Sequence, residues 1–320
     1  MSIDDADREH LGAVIDQVRG AMAKVIEGKR EQIETALATL LAEGHLLLED
    51  VPGVGKTMLA KALARAIDCS VHRIQFTPDL LPGDITGMSV FNQETREFEF
   101  KPGGVFANIV VGDEINRASP KTQSALLEAM AERTVSVDGV THRLEAPFMV
   151  VATQNPIEME GTYPLPEAQR DRFMTRITMG YPARLAELSM LDSHGAANPL
   201  DDLRPVTDAV TITRLIATTR RVFVAPAVKD YIVDIVSATR ASNSLRLGAS
   251  PRASLHLLRI GRARAAMSGR DYAIPDDVSS VATAVLSHRV LLSTQAQLAG
   301  RSVEQVVGDL VASVPIPDRR

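Results

Sequence analysis

The stretch Glu49-Asp50-Val51-Pro52-Gly53-Val54-Gly55-Lys56-Thr57 constrains this chain more than any other part of it. An apolar run, His45-Leu46-Leu47-Leu48, precedes it and has the length of a buried strand. Met58, Leu59, Ala62, Leu63, Ala66 and Ile67 follow at helical spacing. Strand, glycine loop and helix in that order are the setting of a Walker A loop. The glycines let backbone N–H groups turn inward, and the helix start adds partial positive charge. On this reading Pro52, Gly53, Val54, Gly55, Lys56, Thr57 and Met58 surround nucleotide phosphates. Lys56 reaches the β- and γ-phosphates, and Thr57 is a ligand of Mg2+. Asp50 stands where the pattern usually has its first glycine, and its carboxylate is expected to point away from the phosphates.

The rest of the first 181 residues supplies the context that such a loop needs. Short apolar or β-branched runs at 45–49, 71–76, 108–112, 148–153 and 174–179 read as strands covered on both faces, alternating with helices. Together they predict a doubly wound parallel sheet. A helix is expected at 31–43, with residues 1–30 forming another that leads into Val25-Ile26-Glu27-Gly28. A further helix is expected over 120–132, capped by Ser119 and opened by Pro120. Two inserts read as hairpins. One spans 86–101, with Phe98 and Phe100 expected in a small hairpin core, and the other spans 134–145 around Asp138-Gly139. After Tyr181-Pro182 helical periodicity takes over to residue 293 as a separate helical domain. The tail at 294–320 reads as loosely held.

Polar groups at the ends of these runs point to nucleotide hydrolysis. Asn108-Ile109-Val110-Val111-Gly112-Asp113-Glu114 is an apolar strand ending in two carboxylates. Asp113 is placed to hold Mg2+ together with Thr57, and Glu114 to polarise the attacking water. Val150-Val151-Ala152-Thr153-Gln154-Asn155-Pro156 ends in an amide, Asn155, that can orient that water. Gln169-Arg170-Asp171-Arg172-Phe173 precedes the last strand. Arg172 is the chosen arginine for a phosphate in an adjacent subunit, with Arg170 and Arg176 as alternatives. Arg252 follows Ser250-Pro251 in a first helical turn, where the dipole disfavours a cation. An anion held between core and lid would answer that placement.

Composition excludes several other classes. A single cysteine, Cys69, rules out a disulfide framework, and no HExxH or GxSxG pattern occurs. Aromatic residues are only 4% and Trp is absent, which gives stacked single-stranded bases little to bind. Residues 1–200 carry 19 Lys and Arg against 29 Asp and Glu, whereas residues 201–290 carry 13 against 8. An acidic core argues against nucleic acid as the main partner. No apolar run is long enough to span a bilayer, and the acidic N-terminus lacks the apolar stretch of a signal peptide. A cytoplasmic protein is expected.

Taken together, these residues resemble the AAA+ ATPases, and within them the MoxR family. The most specific stretches are Gln75-Phe76-Thr77-Pro78-Asp79-Leu80-Leu81-Pro82-Gly83-Asp84, Asp113-Glu114-Ile115-Asn116-Arg117-Ala118, Lys121-Thr122-Gln123-Ser124-Ala125-Leu126-Leu127-Glu128-Ala129-Met130, Ala152-Thr153-Gln154-Asn155-Pro156 and Asp171-Arg172-Phe173. The resemblance implies a P-loop NTPase core over 1–181 and an all-helical lid over 182–293. It implies that Val25 and Ile26 flank adenine, that Asn155 is sensor 1, Arg172 the arginine finger and Arg252 sensor 2. ATP, ADP and Mg2+ are the implied ligands. The implied assembly is a ring, usually a hexamer, acting as a chaperone-like motor on a partner with a von Willebrand factor type A domain. Two rival readings are an ATP-gated interaction switch with little turnover, motivated by Asp50, and a DNA-acting AAA+ motor.

Overall fold

The computed structural model describes residues 3–155, 162–184, 187–188 and 199–317. Pro156, the predicted helical stretch at 185–186 and 189–198, and Asp318 of the tail lie outside the described residues.

Two helices open the chain, α1 (Asp5–Ala23), capped by the Asp4 carboxylate, and α2 (Arg30–Leu41). Strands and helices then alternate: β1 (Leu46–Glu49), α3 (Lys56–Ala66), β2 (Val71–Gln75), α4 (Pro82–Thr86), then the pair β3 (Met88–Asn92) and β4 (Glu97–Lys101). Next come β5 (Ile109–Asp113), α5 (Pro120–Glu132), the pair β6 (Thr134–Val137) and β7 (Val140–Arg143), β8 (Met149–Gln154), α6 (Glu167–Arg170) and β9 (Thr175–Ile177). Five strands form one sheet in the order β2-β5-β8-β1-β9, with every neighbouring pair parallel. β1 lies at its centre-right, with Leu46 opposite Val151 of β8 and Thr175 of β9.

The pleat explains why these runs are apolar throughout. Leu46, Leu48, Ile109, Val111, Met149 and Val151 join the core on the side of α1, α2 and α3. Their alternates Leu47, Val110, Val150 and Ala152 join the core that contains Leu126, Leu127 and Met130 of α5. The Ser119 hydroxyl accepts from Thr122 N, so the predicted cap of α5 is formed. His45 ties the two layers: its Nε2 lies 3.0 Å from Met130 O, and its Nδ1 accepts from Val150 N at 3.0 Å.

Both inserts are antiparallel hairpins, in register from Met88 opposite Lys101 and from Thr134 opposite Arg143. Phe98 is a correction. It is 73% exposed, with its ring set edge-on to that of Phe91, itself exposed, instead of filling a hairpin core. A two-stranded ribbon has no second layer to cover that face. Phe100 stacks on His142 of the other hairpin, ring centroids 3.8 Å apart, so the two inserts touch.

The remaining elements are α7 (Pro199–Asp202), α8 (Ala209–Arg220), α9 (Pro226–Ala241), β10 (Leu245–Leu247), α10 (Pro251–Met267), α11 (Pro275–Leu286), β11 (Leu291–Leu292), α12 (Thr294–Leu298) and α13 (Val303–Ser313). Leu215 of α8 and Leu257 and Ile260 of α10 belong to the same buried cluster as α1, α2 and α3, so the helical region shares a core with the sheet domain. The tail is also corrected. α13 buries Val306 and Val307 against α9 and α11, and Glu304 pairs with Arg176 of β9. Ser302 caps it in a reciprocal box with Gln305, a local signal that fixes a helix start.

Candidate active site

Because all five strands run the same way, the sheet has two chemically different rims. The rim at the strand ends carries the glycine loop. Gly53 (φ 83°) and Gly55 (φ 89°) adopt left-handed backbone, and a Cβ at either would meet nothing within 4 Å. The glycines are therefore required by conformation, and the space in front of them is open to a ligand. Lys56 Nζ donates to Asp50 O at 2.6 Å and Gln154 O at 3.3 Å, which ties the loop to the end of β8 beside Asn155. Asn155 is buried.

Thr57 Oγ1 lies 3.3 and 3.2 Å from the two carboxylate oxygens of Asp113. A hydroxyl and a buried carboxylate are the hard oxygen donors that Mg2+ takes, and the remaining ligands of such a site come from phosphate and water. No group of three or more His, Cys, Asp or Glu that could hold a metal occurs among the described residues. Asp113 also accepts from Thr153 Oγ1 at 3.2 Å and pairs with Arg73 Nε at 2.6 Å. Glu114 holds a left-handed backbone (φ 56°), uncommon for a side-chain-bearing residue. Its N–H donates to Thr153 Oγ1 at 2.9 Å, and its carboxylate is held by Gln75 Nε2 at 3.0 Å and Arg117 Nε at 2.9 Å.

The expected turn of Asp50 away from the phosphate loop is present. Its carboxylate accepts from Val51 N at 2.7 Å and Gly180 N at 2.6 Å. Lys29 Nζ donates to Gly180 O at 3.1 Å and Tyr181 O at 2.9 Å. Lys29, the loop start at Asp50 and residues 179–181 thus form one wall, and buried Ile26 lies three residues before Lys29.

The opposite rim holds the arginines. Met174 N donates to His45 O at 2.8 Å, which places Arg172 and Asp171 at the start of β1 and not at its end. From His45 to Asp50 the chain rises about 3.3 Å per residue, so the two rims stand roughly 17 Å apart. Asp171 Oδ2 accepts from Ser250 Oγ at 2.9 Å and lies 3.6 Å from Arg252 Nη1. Arg172 and Arg252 line a cavity of about 570 Å3 together with Arg133, Arg220, Arg259 and Arg262. Glu43 is the one carboxylate among the described residues that line it. Burial works to raise its pKa, but the guanidiniums of Arg133 and Arg220 outweigh that and hold it below the ordinary value.

Residues 45–175 match the ATPase family associated with various cellular activities (AAA), and residues 237–310 match the AAA lid domain. The chain is 43% identical over 303 residues to the chaperone MoxR1 of Mycobacterium tuberculosis, covering 92% of this chain and 80% of that one. It is 31% identical over 323 residues to the protein MoxR of Methylorubrum extorquens, covering 92% and 91%. The chain belongs to the MoxR family of AAA+ ATPases. An uncharacterized Bacillus subtilis protein, YeaC, is 48% identical over 310 residues, 97% of this chain and 96% of that one. A crystal structure of a candidate ATPase from Cytophaga hutchinsonii superposes with a TM-score of 0.90 at 37% identity over 98% of each chain.

Membership of this family makes the chain an ATPase that binds nucleotide, and the two rims divide the expected site residues between them. Lys56, Thr57, Asp113, Glu114 and Asn155 converge at one. Arg172 and Arg252 lie at the other, so Arg252 does not close over the loop of its own chain as expected from a ligand held between core and lid. Arg176, one of the two alternatives, is engaged on the glycine-loop side with Glu49 at 2.7 Å and with Glu304. Arg73, Gln75, Arg117, Thr153 and Lys29 were not singled out by the sequence. The charged and amide residues of β2, inside a strand expected to be covered on both faces, were the available signal for the first two. Placing them on Asp113 and Glu114 required knowing that β2 borders β5.

Proposed function

We propose that this chain is the repeating unit of a Mg2+-dependent ring ATPase, a hexamer, whose turnover drives chaperone-like remodelling or activation of a partner protein. The observation that carries this reading is the division of phosphate-seeking groups between two rims of one chain. A triphosphate on the glycine loop meets a lysine, a hydroxyl and carboxylates from its own chain. The guanidiniums that would balance charge building on its γ-phosphate face the other way, toward a neighbour. In the ring, Lys56 binds the β- and γ-phosphates, while Thr57 and Asp113 are the protein ligands of Mg2+. The bound ion would screen phosphate charge. Glu114 accepts the proton of the attacking water, and Gln75 and Arg117 fix where its carboxylate stands. Asn155 orients that water, and Val25 and Ile26 flank the adenine. Arg172 and Arg252 of the adjacent subunit stabilise the developing charge.

The two hairpins, with Phe91 and Phe98 exposed at one of them, are the proposed contact with the partner. A protein with a von Willebrand factor type A domain is the class proposed. The name of the Mycobacterium tuberculosis relative, a chaperone, supports the same direction. The switch reading loses its motive, since the Asp50 carboxylate is occupied by Gly180 N and Val51 N. Glu114→Gln should bind ATP, sediment as a ring and release no phosphate above background. Arg172→Ala should keep ATP affinity within about threefold and lose at least tenfold in turnover. A Glu114→Gln protein that stays monomeric with saturating ATP, or an Arg172→Ala protein with full turnover, would overturn the ring reading.

A further inference from the structure

Arg289 follows α11 and is almost wholly buried behind the arginine rim. Its Nε donates to Asp171 Oδ1 at 2.9 Å and its Nη2 to Asp171 O at 3.2 Å. Nη2 also donates to Phe173 O, and Nη1 donates to Met174 O at 3.2 Å and to Val285 O. Four of its contacts fall on one short stretch, 171–174, that leads into β9, and the rest go to Val285 O, to His288 Nε2 at 2.7 Å and to His256 Nδ1 of α10 at 2.5 Å. Burial lowers its pKa to about 10, against the opposing pull of Asp171, and the guanidinium stays charged at neutral pH. Burying a guanidinium costs several kcal/mol unless it is fully paired, and apolar packing would join two elements at less cost. A charged fork is the device for setting direction and not only for adhesion.

The other face of the same carboxylate is also used. Asp171 Oδ2 takes Ser250 Oγ and faces Arg252, while Ser250 Oγ accepts from Arg252 N at 3.2 Å as the cap of α10. One carboxylate thus joins three segments: the stretch bearing Arg172, the helix start bearing Arg252, and Arg289. We propose that Arg289 is a positioning residue that, through Asp171, locks Arg172 and Arg252 into one rigid pair presented to the neighbouring subunit's phosphates. This rests on the ring reading above. It also means that the lid of each protomer is fastened to its own arginine rim and serves the site next door.

Subunit mixing tests it on the full chain. Arg289→Lys keeps the charge but loses the fork, and Asp171→Asn is nearly isosteric. Each should bind ATP within about twofold of wild type, because the glycine loop is at the far rim, and each should lose at least tenfold in phosphate release. Glu114→Gln has a dead site of its own but intact arginines. Mixed in threefold excess with either variant, it should restore phosphate release per competent glycine loop to within about threefold of wild type diluted the same way. A purely structural lesion would not be repaired by a neighbour. Arg172→Ala mixed with Glu114→Gln is the control. If the control is restored while Arg289→Lys and Asp171→Asn are not, the positioning role is wrong and the ring reading stands. If the control is not restored, both fall. Wild-type turnover in both variants unmixed also refutes the proposal. Should Arg289→Lys fail to bind ATP, Asp171→Asn alone decides.

Discussion

Acidifying the protein from about pH 7.5 to about pH 5 should cost it roughly 2 kcal/mol of stability through His45 alone. The ring is fully buried between β8 and α5. It uses one nitrogen to reach Met130 O and the other to accept from Val150 N, so a second proton would set two N–H groups against each other. Burial pulls its pKa down from 6.5 to about 4, further helped by Arg133 and only partly opposed by the Met130 carbonyl. The unfolded chain takes up a proton near pH 6.5 that the folded chain refuses. The contribution is therefore complete above the unfolded value and is lost as pH falls through 6.5 toward 4. At pH 5 the unfolded imidazole is almost wholly charged and the folded one about a tenth charged, which gives the roughly 2 kcal/mol figure, or about 3 °C in midpoint for a chain of this length. His256, depressed to about 2 by burial and then by Arg289, and His288, depressed by burial, add in the same direction. Urea unfolding at the two pH values, for wild type and His45→Asn, isolates the term. The variant should be less stable at pH 7.5 but lose about 2 kcal/mol less on acidification. Parallel pH profiles for the two proteins would refute the reasoning.

Two further outcomes follow from particular contacts. Asp50→Gly installs the usual loop residue but should not raise ATP affinity by more than about twofold, because the carboxylate already faces Gly180 N; it should instead lower stability by roughly 1–3 kcal/mol, the cost of orphaning that amide. A tenfold gain in affinity by fluorescent-nucleotide titration would show that Asp50 does repel phosphate. Ending the chain at Arg301 removes α13 and the burial of Val306 and Val307, and should cost roughly 3–6 kcal/mol by urea unfolding; an unchanged midpoint would mean the tail is an ornament.

What could be read in advance follows the range of the interaction. Each strand of the sheet and the Ser119 cap of α5 is a local pattern, and all are present within a residue or two of their expected places. The glycine loop and the carboxylates Asp113 and Glu114 were legible for the same reason, being strand ends. Strand order is not local. Nothing between Val71 and Gln75 says that Arg73 will meet Asp113 across the β2–β5 border. The placement of Arg252 is less local still. Its helix start, Ser250-Pro251, was plain, but which rim that start would face depends on Asp171, 81 residues earlier. The tail is not legible in the sequence because its short apolar stripe, Val306-Val307 and Val311, becomes a buried face only once α9 and α11 are in place to receive it.

A body whose strands all point one way has a front and a back. Here the front carries Asp113 and Glu114, and the back carries a hollow with six arginines and one glutamate. Two copies meeting back to back would set guanidinium against guanidinium, whereas at the front Asp113 and Glu114 are already paired with Arg73 and Arg117. Back-to-back pairing is thereby penalised, whereas front-to-back stacking would bring that cationic hollow to a phosphate held on the proposed nucleotide loop. A chain of such contacts either closes on itself or leaves one uncapped cationic end, and that asymmetry is already written into the direction of five strands.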